Sequence, residues 1–312
     1  MLGLGLKGQM AKLLQVARPQ FLVAGLALFL FGAAWAILLG APFSLSRLVI
    51  GYLVLLPAHL SISYSNDYFD LAVDSLGKPG LFSGGSGVLA DHGELRRPAR
   101  WVAMALIVCS LVLGGLFQAM YAAPIWFLGF VMVGNMVGWF YTAPPLRLAY
   151  RGLGELSIAL AVGFLIPGMG YLVTMGSLDR AGLLFTIPLT LYGLAFIVTV
   201  EIPDEEADRL GNKRTWVARR GRGFGFNVVG ICLLLATLSF FFLSGLNAQG
   251  YPLDFRVLGL LSLLPLGVGA AGVIRRPVER QLVLRDVNGI VISLAALCIL
   301  ADGYLAYCLA TR

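Results

Sequence analysis

A long apolar run ends in the stretch Asn66-Asp67-Tyr68-Phe69-Asp70-Leu71-Ala72-Val73-Asp74. Its three aspartates have the spacing i, i+3 and i+7, which on a helix of 100° per residue places them within an arc of roughly 60°. Like charges on one helical stripe repel, and unpaired charge at the edge of a bilayer costs still more. We therefore expect a cation beside them. Because the ligands are all oxygen atoms, they favour a hard ion such as Mg²⁺, shared with substrate phosphates.

A second acidic stretch repeats this spacing at the end of another apolar run. Glu201, Asp204 and Asp208 lie at i, i+3 and i+7, and Glu205 and Glu206 add acid beside them. Either stretch alone is equally well explained as a solvated helix end. Two stretches with matched spacing, each where an apolar run ends, indicate a shared metal site.

The composition is that of a membrane protein. The chain has 312 residues, of which 59% are hydrophobic and 12% are charged, whereas a soluble domain has about 25% charged residues. Apolar runs of about 20 residues, the length that crosses a bilayer, recur along it. The net charge of +7 lies in loops, where membrane orientation and anionic head groups explain it without a nucleic-acid partner. We expect an all-α, polytopic bundle that forms a single integral-membrane domain over residues 1–312, without a cleavable signal.

Nine transmembrane helices are predicted from the apolar runs. They cover residues 20–40, 45–66, 99–118, 122–142, 154–175, 181–202, 223–245, 254–274 and 287–308. Cytoplasmic loops carry an excess of Lys and Arg, which sets the orientation. With the N-terminus inside, all of the 23 basic residues lie on the cytoplasmic side except Arg47, Arg180, Arg256 and Arg312. We expect a cytoplasmic N-terminus, with both acidic stretches at a central cavity that opens to the cytoplasmic face of the cell membrane.

A glycine-rich segment follows the first acidic stretch. Residues 82–87, here called the glycine loop, read Phe-Ser-Gly-Gly-Ser-Gly. On composition, the segment is interpreted as a flexible connector. The alternative is that its backbone N–H groups approach a phosphate.

Basic residues on the same side are candidates for phosphate contacts. Lys213 and Arg214 follow the second acidic stretch closely, whereas residues 219–222 are expected to anchor the loop to anionic lipid. Arg147 and Arg151 follow two prolines after the fourth predicted span. The planar guanidinium group of arginine suits phosphate.

These features together point to a substrate with an anionic phosphate head and an apolar tail, such as an allylic diphosphate. A metal ion would make the diphosphate a better leaving group, and nearby cations would stabilise its developing charge. The resulting allylic cation needs a dry site with aromatic faces. Candidates for these faces, which are equally well explained as packing residues, are Tyr64, Tyr68, Phe69, Tyr141 and Tyr150.

From end to end, the chain resembles the UbiA superfamily of intramembrane prenyltransferases. Residues 66–74 match the family motif NDxxDxxxD, and residues 201–215 look like the second acidic motif of the 1,4-dihydroxy-2-naphthoate prenyltransferase branch. Residues 141–155 and the pair Arg18-Pro19 are also similar to that branch. The sequence departs from the pattern at Ala149, where a lysine is expected, and at the glycine loop, which replaces a basic residue.

The resemblance implies nine helices, Mg²⁺ as cofactor, and basic loops that cap the site. The metal ligands expected are Asn66, Asp67, Asp70, Asp74, Glu201, Asp204 and Asp208. The residues expected to carry catalysis are Asp67, Asp70, Asp204 and Lys213. Those expected to bind substrate are Tyr68, Tyr141, Arg147, Arg151, Lys213 and Arg214.

The expected function is Mg²⁺-dependent transfer of an isoprenyl group from a prenyl diphosphate to an aromatic acceptor in the membrane, in menaquinone-type quinone biosynthesis. Transfer to another lipophilic acceptor, such as a lipid alcohol or a tetrapyrrole, and cyclisation of the prenyl chain remain open. A cation-coupled transporter is a more distant alternative, because transporters place such acids near the bilayer midplane rather than at one edge.

Overall fold

The structure, a computed structural model, describes residues 5–246 and 250–312. Regular structure in these residues is helical, with no strand among them. The apolar runs are helical because in hydrocarbon a helix satisfies every backbone N–H and C=O group within its own segment. The all-α prediction is confirmed, and the chain is a multi-pass integral membrane protein.

The helices of the first half carry the first acidic stretch. They are α1 (Leu6–Val16), α2 (Pro19–Leu38), α3 (Leu45–Asp74), α4 (Val88–Asp91), α5 (Arg96–Tyr121), α6 (Trp126–Phe140), α7 (Gly154–Leu160) and α8 (Ile166–Met175). Short 3₁₀ turns occupy Gly93–Leu95 and Leu148–Arg151, and a π-helical stretch, Ala161–Leu165, joins α7 to α8.

The helices of the second half carry the second acidic stretch. They are α9 (Thr186–Glu201), α10 (Glu205–Leu210), α11 (Trp216–Arg220), α12 (Arg222–Leu246), α13 (Phe255–Leu261), α14 (Leu263–Arg275) and α15 (Arg280–Ala310). A 3₁₀ turn, Ile202–Asp204, links α9 to α10.

Among the described residues, eight helical stretches are long and apolar enough to cross a bilayer. They correspond to eight of the nine predicted spans. The exception is the predicted span 122–142, where α6 has 15 residues. A helix of that length rises roughly 22 Å, which is less than the hydrocarbon thickness of about 30 Å. The count of nine spans therefore stays a prediction.

The two acidic stretches differ in backbone conformation. Helix α3 continues without interruption to Asp74, so its three aspartates share one helical stripe as predicted. The second stretch is not one continuous α-helix, because Pro203 lies in the 3₁₀ turn between α9 and α10. Proline lacks the N–H group that would continue the helical ladder. The second set of acids is therefore brought together by a bend as well as by helical spacing.

Helix α2 packs closely against α8, and both helices contribute residues to a cavity beside the acidic stretches. A Cβ atom added at Gly32 would meet the carbonyl group of Pro167, and one added at Gly170 would meet the carbonyl group of Phe29. Backbone therefore lies against backbone at both glycines, which holds α8 and the π-helical stretch before it close to α2.

Candidate active site

Residues of both acidic stretches line one cavity of about 250 Å³. The acidic and amide side chains that line it are Asn66, Asp67, Asp70, Asp74, Glu201, Asp204 and Asp208. Its basic lining residues are Arg18, Lys78 and Lys213. Apolar side chains such as Leu28, Ile62 and Phe196 continue the wall. The structure thus brings all seven predicted metal ligands to one polar region that adjoins apolar surface.

A second cavity, of about 130 Å³, adjoins the first and is lined almost entirely by apolar groups of α2, α9 and α15. Phe21, Leu28 and Phe196 line both cavities. The polar region therefore continues into apolar space large enough to receive part of a hydrocarbon chain.

Lys213 connects the two acidic stretches. Its Nζ atom donates to Asp70 Oδ2 at 2.9 Å and lies 4.0 Å from Asp208 Oδ1. Burial by itself lowers the pKa of Lys213, but the charges of Asp70 and Asp208 outweigh burial and raise that pKa well above its ordinary value. Lys213 is therefore charged at neutral pH and neutralises part of both acidic stretches.

Hydroxyl groups hold further members of the acidic stretches. Tyr150 donates its hydroxyl to Asp70 Oδ1 at 2.8 Å, and Thr215 donates to Asp208 Oδ2 at 3.2 Å. Charge and hydrogen bonding by Asp70 add to burial in raising the pKa of Tyr150, so its phenol stays protonated and keeps donating. Thr142 likewise donates to the Asn66 Oδ1 atom at 3.0 Å.

The glycine loop lies against the acids, which corrects its interpretation as a flexible connector. The Gly84 N–H donates to Asp204 Oδ2 at 2.6 Å, and Ser86 donates to Asp67 through both its N–H and its hydroxyl. Arg18 donates to the Gly84 carbonyl at 2.8 Å. The loop therefore bridges one carboxylate from each acidic stretch.

Glu201 differs from the other acids of the cavity in its hydrogen bonding. Its side chain is buried, and within the described residues neither of its carboxylate oxygens has a hydrogen-bond partner. Glu155, which is fully buried beside it, accepts the backbone N–H of Trp216. The carboxyl groups of Glu155 and Glu201 are thus close enough to interact electrostatically.

None of the three arginines predicted to bind substrate lines the cavity. Arg147, Arg151 and Arg214 are exposed. The Arg147 guanidinium lies 3.8 Å from the ring centroid of Tyr150, and Arg151 donates to the carbonyl of Pro145 at 2.9 Å. Arg147 therefore reaches the acids only through Tyr150, whose hydroxyl holds Asp70.

The two predicted tyrosines have different positions. Tyr141 is buried and lines the cavity. Tyr68 is separated from the cavity, because its ring lies beneath the guanidinium groups of Arg96 and Arg100, at 5.0 and 5.6 Å. On α3, Tyr68 adjoins Asp67 in sequence but faces α5, since consecutive residues of a helix point about 100° apart.

Comparison with known proteins gives the family. Residues 23–282 match the model of the UbiA prenyltransferase family. The chain belongs to the UbiA prenyltransferase family. The predicted resemblance is confirmed by this match.

Solved UbiA homologues have the same fold. A homologue from Archaeoglobus fulgidus bound to GPP and Mg²⁺ is 18% identical, with a TM-score of 0.63 over 94% of this chain and 99% of that one. An apo homologue from Aeropyrum pernix K1 is 15% identical, with a TM-score of 0.63 over 88% of this chain and 97% of that one.

A curated relative is the 1,4-dihydroxy-2-naphthoate octaprenyltransferase of Bacillus subtilis (strain 168). It is 25% identical over 208 residues, which are 64% of this chain. The match spans 63% of that relative's own length.

The chemistry of the donor set in this UbiA family member fits a hard divalent cation. All of the donors are carboxylate or amide oxygens, and the two buried oxygens of Glu201 have no hydrogen-bond partner among the described residues. Among the residues that the structure describes, no group of three acids is close enough to hold a metal ion by itself. Mg²⁺ commonly uses one or two carboxylates and completes its shell with water and phosphate. The residues fit an ion of that kind.

Sequence reasoning missed two contributors to the site. Arg18 was noted only as part of the pair before α2, yet it lines the cavity and has a positive φ of 49° that no pattern indicated. Ser86 carried no signal beyond its place in a glycine-rich segment. Ala149, where a lysine was expected, is fully buried, so that Tyr150 rather than a lysine reaches the acids from this loop.

Proposed function

We propose that this UbiA family member is a Mg²⁺-dependent prenyltransferase that moves an isoprenyl group from an allylic prenyl diphosphate to an aromatic acceptor, in menaquinone-type quinone biosynthesis. The observation that carries the proposal is the position of Lys213, which contacts Asp70 and lies 4.0 Å from Asp208. One cationic side chain thus reaches both acidic stretches, so a diphosphate with its metal would also span them.

The comparisons support the substrate classes. Solved homologues are described as bound to GPP or DMAPP together with Mg²⁺. The curated relative is named for octaprenyl transfer to 1,4-dihydroxy-2-naphthoate. The apolar cavity beside the acids supports a hydrocarbon chain on the donor.

The metal would be held by members of the two acidic stretches. These proposed ligands are Asn66, Asp67, Asp70, Asp74, Glu201, Asp204 and Asp208. When bound, the ion supplies Lewis-acid neutralisation of the diphosphate. Asp67, Asp70, Asp204 and Lys213 are the proposed catalytic residues.

Cationic side chains of this chain hold the departing diphosphate. The bond between the allylic carbon and the bridging oxygen breaks, and its electron pair leaves with the diphosphate. Lys213 and Arg18 line the cavity and are placed to bind the diphosphate oxygens. The three exposed arginines would reach those oxygens only if their side chains moved inward; these are Arg147, Arg151 and Arg214. Tyr68 would reach them only if α3 rotated.

The cavity wall controls the fate of the allylic carbon. Phe21, Leu28 and Phe196 exclude water from its apolar part. An aromatic acceptor carbon supplies the electron pair of the new carbon–carbon bond. That carbon then loses a proton, or carbon dioxide if it carried a carboxylate, and the electron pair of the broken bond returns to the ring. Tyr141, buried at the cavity, is placed to contact the substrates.

We place the protein in the cell membrane as a single domain of residues 1–312 with nine spans. The distribution of Lys and Arg favours a cytoplasmic N-terminus and a cavity that opens to the cytoplasm.

The test is an assay of the purified full chain in detergent with MgCl₂, labelled geranyl diphosphate and a panel of acceptors. The panel contains 1,4-dihydroxy-2-naphthoate, a monocyclic phenol, a lipid alcohol, a tetrapyrrole and a sample without acceptor. We expect a prenylated naphthoate product that requires Mg²⁺. We expect Asp204→Asn to remove most of the Mg²⁺-dependent turnover, because it removes a negative charge from the metal site.

Three results would contradict the proposal. Turnover that persists in excess EDTA would remove the metal role. A cyclised product without acceptor would favour the cyclase alternative, and a product only with the lipid alcohol or the tetrapyrrole would replace the aromatic acceptor.

A further inference from the structure

The glycine loop provides three donor groups to carboxylates of the proposed metal site. Ser86 N–H lies 3.3 Å from both oxygens of Asp67, and the Ser86 hydroxyl donates to Asp67 Oδ2. Gly84 N–H donates to Asp204 Oδ2 at 2.6 Å. Asp67 is 4% exposed, so little water competes for these contacts.

The loop is built for close approach to the acids. Gly84 has a φ of +69°, a conformation that side chains rarely adopt. A Cβ atom at Gly85 would collide with the carboxylate of Asp74. Glycine at both positions therefore lets the backbone of the loop lie against three acids. Two of them, Asp67 and Asp74, are on α3, and the third, Asp204, belongs to the second acidic stretch.

Hydrogen bonds to residues other than the acids also fix the conformation of the glycine loop. Arg18 donates to the Gly84 carbonyl at 2.8 Å, and the Ser86 hydroxyl accepts the N–H of Val88 at 3.2 Å. The contacts with the acids thus belong to a defined loop conformation.

We propose that the glycine loop competes with the divalent cation for Asp67 and Asp204. A metal ligand must present a lone pair to the ion at about 2.0–2.1 Å in near-octahedral geometry. Donor hydrogens directed at the same oxygens place positive partial charge where the ion would bind. Lone pairs that accept from the loop are not free for the ion, so the loop lowers the apparent metal affinity by holding them in a fraction of the molecules.

Release has a second consequence for the loop. The N–H groups of Gly84 and Ser86, no longer paired with carboxylates, become available to phosphate oxygens, in the manner of other glycine-rich anion sites. The loop would then replace the basic residue that the family pattern led us to expect in this segment. This inference rests on the proposed metal role of the acids.

The test measures binding of Mn²⁺ alone, as a probe for the divalent site, by electron paramagnetic resonance of the free ion. It uses the full chain in detergent and compares the unmodified protein with Ser86→Ala. We expect the variant to bind Mn²⁺ roughly tenfold more tightly, because a hydrogen bond to a charged group contributes about a factor of ten or more. We also expect saturating Mn²⁺ to increase deuterium exchange in peptides covering residues 82–87.

Matched variants distinguish competition between the loop and the metal from a general disturbance of the protein structure. Ser86→Thr keeps the hydroxyl and should bind Mn²⁺ as the unmodified protein does. Ser46→Ala removes an exposed serine at the other end of α3 and should change nothing. If Ser86→Ala does not fold, Ser86→Gly removes the same hydroxyl and replaces it in the comparison.

Each other outcome overturns the inference. Weaker binding by Ser86→Ala would mean that Ser86 orients Asp67 for the metal, as outer-shell donors do. Equal affinity, or no binding by either protein, would mean that the loop does not compete. Because the measurement needs no prenyl diphosphate, tighter binding without prenyl transfer would refute the proposed function and leave this inference standing.

Discussion

Lys213 is the residue on which the charge balance of the site depends. Its ammonium group is mostly enclosed, with 13% of the side chain exposed, and it contacts Asp70 from the opposite acidic stretch. Removing one partner from a buried ion pair leaves the other charge uncompensated, which destabilises a protein strongly. The same ammonium group is also placed to meet the diphosphate, so its loss has consequences for stability and for turnover.

We expect Lys213→Met to lower prenyl transfer roughly hundredfold, the cost of losing one preorganised charge at a developing anion. The unfolding midpoint in detergent should also fall, because Asp70 and Asp208 then repel each other without a cation between them. Both quantities are read by the acceptor assay and by thermal unfolding of the same preparation.

Arg219→Ala is the matched control, since Arg219 is exposed and does not line the cavity. It should change neither quantity. Full turnover by Lys213→Met would show that Lys213 does not contact the diphosphate. A large loss in Arg219→Ala would show that Arg219 does more than anchor the loop to lipid.

At the scale of elements, the contact between α2 and α8 sets the position of the cavity wall. A Cβ atom at Gly170 would lie 2.8 Å from the carbonyl carbon of Phe29 and 3.1 Å from the amide nitrogen of Ala33. Both obstacles are backbone atoms, so no side-chain rotation relieves the collision. The two helices would have to separate, and with them the apolar lining that α2 and α8 contribute.

We therefore expect Gly170→Ala to destabilise the protein by about 1–3 kcal/mol, the usual cost of overpacking. Thermal unfolding in detergent measures the change. Gly115→Ala is the control, because a Cβ atom at Gly115 of α5 would have no neighbour within 4 Å. An equal effect of the two substitutions would mean that helix propensity rather than packing decides the result.

At the scale of the whole molecule, the arrangement of charge is asymmetric. Both acidic stretches and the cations that meet them lie at one end of the bundle, where α3 ends and α10 begins. Arg47 lies instead near the start of α3, and its guanidinium group is 5.1 Å from the ring centroid of Tyr121 at the end of α5. The end with most of the basic charge is the one expected to face the cytoplasm.

Fusion of alkaline phosphatase tests this orientation, because the enzyme becomes active only after export. We expect an active fusion after Arg312 and an inactive one after His92, in the segment between α3 and α5. A western blot controls for expression of both fusions. The reverse pattern would invert the topology, and activity at neither position would contradict an odd number of spans.

Local rules were sufficient for the helices and for the acids. The run of α3 and the stripe formed by Asp67, Asp70 and Asp74 follow from helical periodicity and from the length of a bilayer span, neither of which depends on distant residues. The same rules predicted the second acidic stretch, although Pro203 bends it. They did not predict α6 as the observed 15-residue helix, because turns at its ends shorten the span that hydropathy alone suggests.

The sequence by itself determined that this chain is a helical membrane protein with two matched acidic helix ends, since these properties reside in residues close together along the chain. Only the tertiary structure decided which donors meet those acids. Lys213 reaches Asp70 across 143 positions and Gly84 reaches Asp204 across 120, whereas Arg147, Arg151 and Arg214 stay outside. Such pairings depend on how helices pack and loops fold back, and no local spacing encodes them.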